Sequence, residues 1–154
     1  MNALTLSKQS AYVAASGRLL MALIFLISGA GKIAAPGMTL GYIASAGLPL
    51  PLIAYLVAVG IELGGGILLV VGYQTRIVAS VMTIFAIVTA LSFHHDFADQ
   101  NQMIHFLKNV AMAGGLLQIV AFGAGAFSID SLEGTLKPVS ARASLNRVCS
   151  LEEV

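Results

Sequence analysis

Four long apolar runs separated by short polar breaks set the pattern of this chain, at about 12–31, 52–73, 77–93 and 106–127. Each is close to the ~20 residues with which a helix crosses a hydrocarbon layer of ~30 Å. None alternates with the period of two that marks a barrel strand. Backbone groups in lipid must be satisfied within their own segment, so all four runs read as helices. The predicted class is all-α: a polytopic membrane protein, folded as a four-transmembrane-helix bundle over residues 1–130. The connection from Lys32 to Pro51 holds the turn residues Pro36, Gly37, Gly47, Pro49 and Pro51, and Met38 to Ala46 has the length of a short interfacial helix. Residues 131–154 read as a polar, flexible tail. The first run passes for a secretory leader, but three further runs follow it, so it is expected to stay in place as a signal anchor.

Polar positions inside the runs fall on stripes. Arg18, Ala22, Phe25, Gly29 and Lys32 follow helical steps of four and three, with the two cations about 21 Å apart along the axis. Arg76, Ser80, Thr83, Ile87, Ala90 and His94 do the same in the third run. In the fourth, the stripe is Lys108, Ala111, Gly115, Gln118 and Phe122. Glu62 shares its side of the second run with Tyr55, Ala58, Gly66 and Leu69. These four seams are expected to meet in a semi-polar interior around Glu62. The competing reading is that Arg18, Arg76, Lys32 and Lys108, placed toward span ends, snorkel to headgroups.

Composition agrees with the membrane class and closes other routes. Hydrophobic residues make up 58% of the 154, charged residues 10%, and mean hydropathy is +0.91, outside the range of soluble domains. A net charge of +1 without a basic block gives no footprint for nucleic acid. Lys8, Arg18, Arg76, Lys137, Arg142 and Arg147 lie on one side of the four-span topology, and only Lys32 and Lys108 on the other. That bias predicts both termini in the cytoplasm.

The candidate chemistry starts from Glu62, the one charge in the stretch from Leu50 to Tyr73. A carboxyl at mid-membrane depth costs about 3 kcal/mol on insertion scales, so it faces the protein interior, finds a partner and marks a functional site by default. His94, His95, Asp96, Asp99 and His105 form a second cluster. Imidazoles and carboxylates suit a transition metal or, with two His, haem. The spacing matches no defined metal site, and neighbouring His94 and His95 diverge by about 100° on a helix. Interfacial, solvated polar residues are the leading reading of this cluster, and among the functional readings proton exchange or hydrogen bonding with a quinone-like ligand is preferred over metal or haem. Cys149 is the sole cysteine, which leaves no dithiol pair, so a redox role calls for a bound cofactor or a redox protein partner.

The order Gly17-Arg18, Ser28-Gly29 with Lys32 and Pro36, Glu62, Gly72 with Thr75-Arg76, Phe93-His94-His95, Phe106-Leu107-Lys108-Asn109 with Gly114-Gly115, and Gly123-Ala124-Gly125 with Ser128-Ile129-Asp130 resembles the DoxX family of bacterial inner-membrane proteins. The resemblance covers roughly Ser16 to Asp130. It implies a four-helix bundle in the bacterial inner membrane and an association with quinone-linked oxidoreductases. The expected function is therefore that of a membrane subunit of such an enzyme, with a quinone-sized ligand. Glu62 handles protons in this reading, Lys32 and Lys108 hold an anionic or carbonyl oxygen, and His94 or His95 exchanges protons with the periplasm. Gln118, Asn109 and Arg18 complete the expected ligand-binding set. The alternative is a non-enzymatic small-solute transporter or membrane assembly partner.

Overall fold

The computed structural model describes residues 3–136, with the side chains of 8–133. The chain forms α1 (Ala3–Ala34), α2 (Pro36–Ser45), α3 (Pro51–Val59), a π-helical turn (Gly60–Gly65), α4 (Gly66–Val71), α5 (Thr75–Phe93), α6 (Gln100–Phe122) and α7 (Ile129–Leu136). α3, the π-turn and α4 are one continuous span. Four segments are long and apolar enough to cross a membrane: Lys8–Ala34, Pro51–Val71, Thr75–Phe93 and Gln100–Phe122. Among the described residues every regular element is a helix, and the class is that of a polytopic, all-α membrane protein.

Local sequence explains the breaks. Pro36 and Pro51 stand at the first positions of α2 and α3, where a missing N–H costs no helical bond. Gly72, with φ of 69°, ends α4 in the left-handed region, open to glycine without steric penalty. The fourth span was expected to reach Phe127, but α6 stops at Phe122, because Gly123 and Gly125 take φ of 80° and 78°. Residues 131–136, expected as the start of the tail, lie in α7. The remainder of that tail, 137–154 with Cys149, falls outside the described residues.

Packing follows the predicted seams on two spans and departs from them on two. Arg18, Ala22, Phe25 and Gly29 are buried along α1, and Ala58, Glu62, Gly66 and Leu69 along the second span. On α5 the buried set is Thr75, Val78, Ala79, Met82, Ala86 and Ala90, while Arg76 and Ile87 are exposed. From Thr75 to Ala86 that face lies one residue earlier than the seam, a rotation of about 100°, and the two meet at Ala90. The cause is local. Ser80 donates to Arg76 O at 2.8 Å and Thr83 to Ala79 O at 2.7 Å, so these hydroxyls are satisfied by their own helix and need no polar interior. On α6 the rotation runs the other way: Ala113 and Leu116 are buried, and Lys108, Ala111, Gln118 and Phe122 are exposed. The core formed by these faces is apolar, with Ala22, Phe25, Leu69, Val78, Ala79, Met82 and Leu116 in one cluster.

Candidate functional site

Lys32 and Glu62 meet between α1 and the π-turn. Lys32 Nζ lies 2.8 Å from both carboxylate oxygens and donates to Ser28 Oγ at 2.9 Å, while Ser28 Oγ donates to Glu62 Oε1 at 3.1 Å. All three ammonium protons thus have acceptors. Tyr55 reaches the same place from α3, donating to Lys32 O at 3.3 Å. Helical side chains lean toward the helix N-terminus. At the last turn of α1 this directs Lys32 back into the bundle, so it pairs instead of snorkelling outward. The Glu62 side chain is 6% exposed and that of Lys32 25%.

Two local features allow this contact. Glu62 sits inside the π-turn Gly60–Gly65, a distortion of the kind that recurs at functional sites. Gly29 brings α1 close: a Cβ there would stand 2.8 Å from Leu63 and 3.2 Å from Glu62 Cβ. The carboxylate is thereby held in the middle of the span Pro51–Val71, against the helix that carries its cation. Such an arrangement can hold a further hydrogen-bond acceptor at the ammonium when one of its protons turns away from Glu62, and it can take up or release a proton at the carboxylate.

The other predicted site residues are dispersed. His94 ends α5 with non-helical angles, stacks on His105 with ring centroids 5.0 Å apart, and meets Gln102 Oε1 through Nδ1 at 2.9 Å. His95 is exposed in the following loop. Asp96 accepts from Ala98 N at 3.2 Å, and Asp99 caps α6 through Asn101 N at 2.7 Å and Gln102 N at 3.4 Å, so both carboxylates shape the turn. Asn109 donates to His105 O at 3.0 Å. Lys108 and Gln118 are exposed on α6, away from the buried face. Among the described residues no three His, Cys, Asp or Glu side chains gather as metal ligands.

Arg18 occupies the opposite end of the bundle, 4% exposed. Its guanidinium donates to Ala124 O, to Phe127 O at 2.6 Å and to Val70 O at 3.4 Å. Asp130 completes this end by accepting from Gln74 N at 2.7 Å and Thr75 N at 2.9 Å, which caps α5, and its own N–H bonds Gly72 O at 2.9 Å. Burial alone would raise the Asp130 carboxyl, but the donors on Thr75 and Gln74, with Arg18 nearby, hold it below the ordinary carboxylate value. Arg18, expected as a ligand contact, instead ties the segment after α6 to α1 and α4. Ser28, Tyr55 and Asp130 are the participants that sequence reasoning left without a role. Ser28 was signalled by its spacing of four from Lys32; Asp130 acts across 55 residues and has no local signal.

A family model described as DoxX matches residues 13–95. Inner membrane protein YqjF of Escherichia coli (strain K12) is 37% identical over 118 residues, which cover 75% of this chain and 87% of that protein. Inner membrane protein YphA of the same organism is 38% identical over 119 residues, covering 73% of this chain and 84% of the relative. No solved structure matches the chain. With over half of its length under the family model and two relatives aligned across most of theirs, the chain belongs to the DoxX family.

Proposed function

We propose that this chain is a small subunit of the bacterial inner membrane that serves a quinone-linked oxidoreductase, with Ser28, Lys32 and Glu62 as its working centre. The ion pair carries the reading: a carboxylate buried at mid-span whose cation stays a quarter exposed. A pair kept for packing alone gains nothing from an open member, whereas a binding site needs one. The donor set fits a quinone head. On binding, Lys32 Nζ and Ser28 Oγ would each turn a proton from Glu62 to a carbonyl oxygen, Glu62 is a proton acceptor, and Phe25 and Ala58, one turn from Ser28 and Glu62 on their helices, are buried apolar neighbours. The quinone would supply two-electron redox chemistry coupled to protons; the chain's part is to hold the oxygen at Lys32 and move the proton at Glu62.

The names of the two relatives support the inner membrane, and the six-to-two distribution of Lys and Arg supports both termini in the cytoplasm. His94 and His105 then lie at the periplasmic end, where stacked imidazoles suit proton exchange with water. The exposed amide of Gln118, one turn inside the end of α6, supports the subunit reading, because a partner helix satisfies an amide that lipid leaves unpaired. The test is extraction of the protein from native membranes. Quinone near one equivalent in the organic extract, lost on Glu62→Gln, is expected. A sample without quinone that also copurifies no oxidoreductase would overturn the reading in favour of small-solute transport.

A further inference from the structure

On the face of α1 turned away from Ser28 and Lys32, an open groove of about 450 Å³ runs between α1 and α4, within the range of ~300–1,000 Å³ typical of ligand sites. Leu19, Leu20, Leu23 and Leu26 of α1 and Val70 of α4 line it, with Ser16 at one end. Leu20 is 70% exposed and Leu23 52%. No described residue fills it.

We infer that this groove holds one acyl chain of an anionic phospholipid, with the headgroup at Tyr12 and Lys8. Three observations converge. The groove lies within a membrane-spanning segment, so a lipid chain is the occupant at hand. Its length from Ser16 to Leu26, about 15 Å at 1.5 Å per residue, is that of a chain crossing one leaflet. The stripe then continues out of the groove: Lys8, Tyr12, Ser16, Leu19, Leu23 and Leu26 follow steps of four, four, three, four and three, which place them on one side of the helix. Arg18 bonds Val70 O and Ala124 O, so Ser16 stands where the second and fourth spans end, and Tyr12 and Lys8 stand at headgroup depth. Tyr12, 63% exposed, lies with its ring centroid 5.0 Å from that of Phe127, an interfacial aromatic pair of the kind that borders headgroups. Lys8 is exposed and supplies the positive charge.

The experiment is native mass spectrometry of the purified full chain with phosphatidylglycerol and phosphatidylcholine of identical acyl chains. Wild type is expected to retain one lipid and to prefer the anionic headgroup by roughly fivefold, the effect of one lysine at an anionic surface. Ser16→Trp and Leu20→Trp, which fill the groove, should each lower retention of both lipids about tenfold, while Ile24→Trp on another exposed face should not. Lys8→Gln should keep the lipid and lose the preference. Unchanged retention in both groove variants, a preference that survives Lys8→Gln, or a retained mass matching a quinone instead of a phospholipid would overturn the assignment. Circular dichroism of each variant separates loss of the site from loss of the fold.

Discussion

Lys32→Met leaves the Glu62 carboxylate, 6% exposed, with Ser28 as its one remaining side-chain donor. Breaking a buried pair from one side costs about 3–5 kcal/mol, and this substitution is expected near the lower end, about 3 kcal/mol, because the orphaned carboxyl can take up a proton. Glu62→Gln is the milder change. The ammonium it strands is already a quarter exposed and sits on a four-carbon stem that can reach headgroups, while the amide oxygen still accepts a bond, so about 1–2 kcal/mol is expected. In the double variant Lys32→Met with Glu62→Gln no charge remains to be stranded. Its cost should fall below the sum of the single costs by at least ~1 kcal/mol. Equilibrium unfolding of the four proteins in mixed micelles measures all three quantities. Single variants of equal cost, or costs that add within about 0.5 kcal/mol, would refute both the asymmetry and the pairing on which it rests.

Three other outcomes follow from the same geometry. A reporter fused after Val154 should be active only in its cytoplasmic form and Asp99→Cys should be labelled from outside intact cells; the opposite result at both sites reverses the membrane orientation. Because Asp130 titrates below its ordinary value in the folded protein, its stabilising contribution is complete above the unfolded carboxyl pKa of about 3.9 and is lost as pH falls through the folded value. Asp130→Ala should therefore cost about 1–2 kcal/mol at neutral pH, the loss of a helix cap, and should flatten the acid limb of a stability–pH curve, whereas an unchanged limb counts against the cap. His94→Ala should weaken stabilisation by a quinone analogue while chelator-washed protein holds well under one equivalent of transition metal; elemental analysis finding a metal lost with His94 would move the cluster to metal chemistry.

The seams show what a sequence can disclose. On α1 and the second span the charged residues find partners inside the protein, so the burial of Arg18 and Glu62 and the pairing of Lys32 are written in the cost of a charge in lipid. On α5 and α6 the same rule of steps misplaced the interior by one residue. Ser80 and Thr83 bond their own backbone, and a hydroxyl satisfied in this way reports nothing about which side faces inward. Alanine at 79 and 86 marks the buried face instead, as close helix approach requires. The π-turn around Glu62 has a partial signal in Gly60, Gly64, Gly65 and Gly66. The cap of α5 by Asp130 has none, since it depends on where the chain goes after α6.

Arg18 and Lys32, two cations on one stripe of α1 about 21 Å apart, show how the same residue class is put to different ends. The guanidinium is 4% exposed and donates to backbone carbonyls of Val70, Ala124 and Phe127, groups that do not titrate. Gly72 lies so close that a Cβ there would meet the guanidinium at 2.9 Å. That end of the bundle is built to hold still. The ammonium is instead paired to a carboxylate and remains partly open, so a change in proton or ligand at Glu62 alters the local charge at once. In the proposed function, a rigid anchor at one end would let such a change act at the other without unfastening the helices.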